Sequence, residues 1–257
     1  MPLLLLSPRA VEDGTRLADA AAELGWASRR LTSWRIPTEM ETPESVAIYG
    51  EPLFARIVAN QLGKKLLEPT HDWLTKVPHA FRRRTIAMHP FGQCAVLHYP
   101  CFIKPPDDKL FPAKVYASAS DLPHRPDLAP DQPVLVSEPV RFTKEFRCHL
   151  LHGRVVSFSR YSRNGDLLIS ADDPDQTEAH RFCQDLADSM PRLIPPAVVV
   201  DVGLLESAHW AVVEANPCFG AGIYAGDPAA ILPVLLEACR PAAETTFAHF
   251  TFPVELE

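Results

Sequence analysis

The chain has 257 residues with 25 Lys and Arg against 32 Asp and Glu, a net charge of -7, and this acidic balance excludes a general nucleic-acid binder, which needs a basic footprint. The length allows one or two domains with a sizeable core. No apolar run nears the ~20 residues of a membrane-spanning helix, and Leu3 to Leu6 is too short for a signal segment. The 6 cysteines form no CxxC pair and read as reduced thiols, so we expect a soluble, cytoplasmic protein that binds neither nucleic acid nor membrane.

In chain order, Leu3 to Leu6 is a buried strand. A helix follows from about Thr15, with Leu17, Ala20, Ala21 and Leu24 on one stripe and Gly25 as its stop. Val46 to Tyr49 is the next strand, then a helix over 52–62 ending at Gly63, then a short strand at 65–67. This alternation predicts a small parallel sheet with helices on its faces. The Gly50-Glu51 turn lacks the glycines of a dinucleotide site. Residues 72–84 read as a helix broken near Pro78 and ending in Arg82-Arg83-Arg84. Strands are predicted at 94–98, 101–104, 113–117 and 133–138.

From Glu145 the pattern is antiparallel. Glu145 to Leu151 and Arg154 to Arg160 flank His152-Gly153, a two-residue hairpin turn. In that register Glu145 faces Arg160 and Arg147 faces Phe158. Glu145, Arg147 and Arg160 then share one face, with Phe146, Cys148 and Leu150 on the other. Such a face either lines a site or is solvated and carries a cross-strand ion pair. Residues 175–190 form a helix with Phe182, Leu186 and Met190 as its stripe.

Two apolar strands follow, Val198 to Gly203 and Trp210 to Pro217. Glu214 and Asn216 are two apart and point to one face. With the turn at Ser207-Ala208, Asp201 lies across from Glu214. Facing carboxylates destabilise a sheet unless a cation sits between them. Two carboxylates and an amide oxygen make a hard all-oxygen set, suited to Mg²⁺ or Mn²⁺ rather than zinc; the other reading is a surface hairpin with its acids in water. A loop at 218–224, a helix at 228–239 and an uninformative tail complete the chain.

The order of these parts resembles the ATP-grasp superfamily of ATP-dependent carboxylate–amine ligases, in the clade whose arginine and lysine phosphate ligands are rearranged. The matching features are a small α/β domain ahead of Phe102-Ile103-Lys104-Pro105, Ser137-Glu138-Pro139-Val140, Glu145-Phe146-Arg147, Asp201, and Glu214-Ala215-Asn216. The resemblance implies a mixed α/β and α+β chain. A parallel α/β domain (residues 1–70) precedes a two-lobed ATP-grasp domain with antiparallel sheets (71–245, lobes about 71–137 and 138–245) and a tail (246–257). It also implies roles. Lys104 reaches the adenine edge and α-phosphate. The backbone of the hinge, through Val136, Ser137, Glu138 and Val140, reads adenine, and Glu145 binds ribose. Arg147 and Arg160 meet phosphate oxygens and acyl-phosphate charge, and Asp201, Glu214 and Asn216 hold Mg²⁺ between phosphates.

Some residues depart from the family pattern. A phosphate-covering loop should follow Lys104, but the stretch is Pro106-Asp107-Asp108-Lys109-Leu110-Phe111. Lys109 and Lys114 are candidates for part of that task. Arg84 either replaces a first-strand lysine or ends a helix. The implied reaction activates a carboxylate as an acyl phosphate and joins it to an amine, with a small-molecule or peptide substrate, and Tyr49-Gly50-Glu51 is the place to look for the acceptor. Phosphotransfer on the same fold, adenylyl transfer through Lys104, and non-catalytic ATP binding are the competing readings.

Overall fold

The computed structural model describes residues 1–105, 110–125, 127–244 and 246–251. The first unit alternates as predicted: β1 (Leu3–Leu6), α1 (Glu12–Glu23), β2 (Ala27–Arg30), β3 (Val46–Tyr49), α2 (Pro52–Gln61) and β4 (Lys64–Leu66). Its parallel sheet has the order β2-β1-β3. Helix α1 starts three residues earlier than expected and buries Leu17, Ala20 and Ala21. Leu24 is instead exposed, because Gly25, at φ +72°, turns the chain away there. β4 does not join this sheet; it pairs with a strand from the far end of the chain.

The middle of the chain begins with two single-turn helices, α3 (Trp73–Lys76) and α4 (His79–Arg82), separated at Val77-Pro78. Pro78 cannot continue a helix because it lacks an N–H and crowds the preceding turn. Then come β5 (Ile86–Pro90), β6 (Cys101–Lys104), β7 (Lys114–Tyr116) and β8 (Pro133–Ser137), an antiparallel sheet ordered β5-β8-β6-β7. The strand expected at 94–98 is a 3₁₀ turn, Phe91–Val96.

The third sheet is built from β9 (Phe142–Leu151), β10 (Arg154–Arg163), β11 (Asp166–Ser170), then, after α5 (Gln176–Ser189), β12 (Ala197–Leu205) and β13 (Trp210–Asn216), in the order β11-β10-β9-β12-β13. The β9–β10 turn is at His152 and Gly153, both at positive φ. The predicted register holds only beside that turn. Irregularities between Val155 and Ser157 and between Arg160 and Ser162 each slip it by one residue. Glu145 therefore faces Ser162, Arg147 faces Ser159 and Arg160 faces Phe146.

Each face of this sheet has its own cover. Helix α5 packs on one, over Phe146, Cys148, Leu150, Val198, Val200 and Val202. The other meets the N-terminal sheet and α6 (Pro228–Ala238) in a core that joins Leu3–Leu6, Val46–Tyr49, Val199 and Ile231. The chain closes with β14 (Cys239–Pro241) on β4, and the Glu68 N–H donates to the Phe250 carbonyl. The N-terminal unit is thus packed against the C-terminal segment. Residues 252–257 of the predicted tail lie outside the described residues.

Candidate functional site

On the face away from α5, Arg147 of β9, Asp201 of β12 and Glu214 of β13 lie in one register row across three strands. Arg147 clasps Asp201 with a fork, Nε to Oδ1 at 2.9 Å and Nη2 to Oδ2 at 2.7 Å. Asp201 is fully buried. Burial opposes charge on Arg147, but the Asp201 carboxylate outweighs it and pushes the guanidinium well above its ordinary value. Asn216 Nδ2 donates to Glu214 Oε1 at 2.9 Å and to Asp201 Oδ2 at 3.3 Å. The row ends on the other sheet, where Lys104 Nζ lies 2.5 Å from Glu214 Oε2. Burial works against ionisation of Glu214, but Lys104, with Asn216 and Arg147, more than offsets it and holds the carboxyl below its usual range.

Two tyrosines sandwich this row. The rings of Tyr161 and Tyr224 stack with centroids 5.0 Å apart, and the Arg147 guanidinium lies 5.3 Å from the first and 4.9 Å from the second. Tyr161 donates its hydroxyl to Glu145 Oε2 at 2.6 Å, and Ser162 Oγ donates to Oε1 at 3.3 Å. Burial raises the Glu145 carboxyl, with Asp201 and Glu214 adding to the rise. Farther along the same face His149 is buried, and burial pushes its imidazole down to about 3, so it is neutral.

Lys104 and Glu214 also stand at the edge of a cleft of about 290 Å³ between the two antiparallel sheets. Its walls include Phe102, Ser137, Glu138, Val140, Phe142 and Glu145. Gly203 lies opposite Glu145; a Cβ there would sit 2.5 Å from the Phe142 ring and push that wall inward. On the other side of the Lys104–Glu214 pair is a smaller pocket of about 70 Å³, lined by Glu68, Thr70, His71 and Asn216.

Four predicted site residues stand elsewhere or are engaged differently. Arg160 is on the α5 face, because the second slip in β10 reverses its side. Its Nε lies 2.8 Å from Asp173 Oδ2 without the alignment of a hydrogen bond, and Nη1 donates to the Leu168 carbonyl. Lys114 pairs with Ile103, so it shares that residue's face, opposite Lys104, and lies over the Tyr116 ring. Val136 is an interior ladder residue between Ala87 and Ile103, with its side chain on the small core of the middle sheet. The backbone groups adjoining the cleft are therefore those past the strand end, at 138–140. Arg84 lines the cleft, yet its guanidinium donates to the carbonyls of Arg82, Val212 and Val213. Burial, with Arg82 nearby, pushes it down to about 10. Lys109 lies outside the described residues.

Sequence reasoning missed Tyr161, Tyr224, Asp13 and Arg16. Asp13 Oδ2 accepts from the Tyr49 hydroxyl at 3.2 Å and the Ile223 N–H at 3.0 Å. Tyr49 also reaches the Ala221 carbonyl at 3.2 Å, and Arg16 donates to the carbonyls of Tyr224 and Gly226. The end of β3 thus holds the loop that presents Tyr224. Its only visible signal was the place of Tyr49 at a strand end.

The donor set fits a hard divalent cation. A carboxylate has about four acceptor sites, so the Arg147 fork does not exhaust Asp201, and Glu214 and Asn216 stand beside it. Among the described residues no group of three or more His, Cys, Asp or Glu is arranged to hold a metal, so a softer or nitrogen-rich site is not on offer. All six cysteines are buried and unpaired.

This arrangement, two antiparallel sheets closing on a cleft with a charged row at its edge, is that of an ATP-grasp fold. A family model described as an ATP-grasp domain, family 2 of the clade with rearranged arginine and lysine ligands, matches residues 81–234, more than half of the sequence, and the chain belongs to that family. Solved structures agree on the fold. A D-alanine–D-alanine ligase from Bacillus anthracis complexed with ATP aligns at TM-score 0.54 and 12% identity over 93% of this chain and 96% of that one. N5-carboxyaminoimidazole synthetase from Staphylococcus aureus aligns at 0.57 and 12% over 94% and 78%. The macrocyclase MdnC from Microcystis aeruginosa MRC, bound with precursor peptide MdnA, aligns at 0.53 and 13% over 92% and 99%. No curated protein matches the sequence significantly. No helix among the described residues is long and apolar enough to cross a membrane.

Proposed function

We propose that the protein is an ATP- and Mg²⁺-dependent ligase that activates a carboxylate as an acyl phosphate and joins it to an amine. The observation that carries this is the meeting of Lys104 with Glu214 at the edge of a cleft walled by Glu138, Val140 and Glu145. In this reading adenine lies against residues 138–140, Glu145 takes the ribose hydroxyls, and Lys104 takes a phosphate. Glu214, Asn216 and Asp201 hold the cation, which supplies charge neutralisation for the transferring phosphoryl group. Arg147, oriented by Asp201 and the two tyrosines, provides fixed positive charge beside that position.

An oxygen of the substrate carboxylate attacks the γ-phosphorus and ADP leaves; the amine then attacks the acyl carbon and phosphate leaves. Neither step needs a protein nucleophile. Positioning and preorganised charge carry the rate, in keeping with the Cys218 thiol, which burial pushes up to about 12. Residues 1–70 would help shape the acceptor side. Six buried unpaired thiols suit a cytoplasmic setting.

The test follows ADP and free phosphate with Mg²⁺-ATP and a panel of carboxylic acids and amines, including peptides. ADP and phosphate should rise together only when a suitable acid and amine are both present, and Glu214→Gln should abolish that turnover in a folded protein. ADP formed with a phosphorylated acceptor and no need for an amine would make it a phosphotransferase. No turnover with any pair would remove the catalytic reading.

A further inference from the structure

Lys104 and Glu214 are at once the closest ion pair of the site and the partition between its two compartments. Both side chains line the larger cleft and the smaller pocket, whereas Asn216 lines only the smaller one. The ammonium sits 2.5 Å from Glu214 Oε2, and Asn216 occupies Oε1, so both oxygens of the carboxylate at the partition are engaged. The neighbouring carboxylate offers Lys104 no alternative, because both Asp201 oxygens face the Arg147 fork.

We propose that the Lys104 ammonium and a divalent cation compete for Glu214, so that the cation site opens only when a nucleoside polyphosphate draws Lys104 away. A divalent cation prefers these hard oxygens. One bound to Glu214 would lie within a few ångströms of the ammonium, and like charges at that range repel strongly in a partly buried site. A lysine at the end of a strand, on a flexible four-carbon stem, can exchange a carboxylate for a phosphate without moving its backbone. The exchange also joins the two compartments, because the partition is the pair itself. Coupling of this kind is reciprocal: whatever weakens the hold of Lys104 on Glu214 must strengthen cation binding by the same factor.

The inference takes only the identity of the displacing ligand from the proposed function, and its test needs no nucleotide. Mn²⁺ binding to the nucleotide-free protein is followed by electron paramagnetic resonance for the wild type, Lys104→Met and Lys104→Gln, the last retaining a hydrogen-bond donor to Glu214. Circular dichroism checks the fold of each. Removing the ammonium should tighten Mn²⁺ binding by about tenfold or more, within the usual range of site–site coupling. The gain should vanish in Lys104→Met combined with Glu214→Gln and be absent in Lys114→Met, which removes a lysine on the opposite face. Unchanged affinity in folded Lys104→Gln overturns the exchange. So does a gain that survives Glu214→Gln or is matched by Lys114→Met. Failure of the protein to bind any nucleotide would instead remove the proposed function and leave the Mn²⁺ result standing.

Discussion

Two buried arginine–aspartate pairs stand on opposite faces of one sheet, Arg147–Asp201 and Arg160–Asp173. Arg147 makes an aligned two-pronged fork between stacked tyrosines, in a row that ends at the cleft. Arg160 touches Asp173 through one nitrogen and spends another on the Leu168 carbonyl, while Lys144 binds Asp173 at 2.9 Å and Asp175 at 2.5 Å. That second cluster ties β11 to the start of α5. Burial and charge are common to both pairs. Only the first is continuous with groups that reach a ligand-sized space, and this continuity separates a functional arginine from a structural one.

The largest expected effect tests how much each pair holds. Arg147→Ala strands a fully buried Asp201, and breaking a buried pair by removing one partner costs about 3–5 kcal/mol of stability. Arg160→Ala leaves Asp173 its lysine, so the loss is that of one charged contact, about 1.5–3 kcal/mol. Urea unfolding of the two variants measures the difference, and equal losses would erase the distinction. Folded Arg160→Ala should bind nucleotide as the wild type does.

Next in size are the cleft residues. Lys104→Ala and Glu145→Ala should each weaken nucleotide binding by about 1–3 kcal/mol, the value of a lost charged hydrogen bond. Calorimetry with Mg²⁺-ADP reads this directly, and it sharpens the comparison if Lys144→Ala, from the other face, has no effect on affinity.

The smallest effect is in acid. Burial opposes ionisation of Asp173, but the Asp175 N–H, Lys144 and Arg160 outweigh it, and its carboxyl is held below the ordinary value. A carboxyl depressed by folding contributes stability that is fully present above the unfolded value of ~3.9 and is lost as pH falls through the lower folded value. Asp173→Asn should therefore flatten the acid limb of a melting-temperature profile below about pH 4. A profile with the same acid limb as the wild type would show that the second cluster holds nothing.

The site was most legible where strands are long, apolar and joined by a tight turn. The Asp201–Glu214 pairing follows from the placement of the Ser207-Ala208 turn, and the structure has it. The β9–β10 hairpin offered the same kind of evidence, yet its register slips at residues 156 and 161, a valine and a tyrosine that carry no bulge signal in the sequence. Each slip moves the following side chains to the other face. That is why Arg160 was expected beside Glu145, and why Tyr161, which takes the place there, went unnoticed. Lys114 was misplaced for a related reason, since strand parity does not carry across an irregular connection. β2, β11 and β14 are short, and their sequences lack apolar alternation. β2 is largely polar, while Leu167, Leu168 and Ile169 of β11 lie exposed on an edge. Asp13 and Arg16 act across more than 200 residues of sequence, a distance at which no local pattern speaks.

The central claim is that the cleft between Glu138, Lys104 and Glu145 is a nucleotide site completed by Glu214. The most direct measurement is a calorimetric titration of the wild-type protein with a non-hydrolysable ATP analogue, with and without Mg²⁺, repeated on Glu145→Ala and Arg160→Ala. The account predicts one site per chain, tighter with Mg²⁺, weakened in Glu145→Ala and unchanged in Arg160→Ala. Absence of binding by the folded wild-type protein, or equal weakening in both variants, would contradict it.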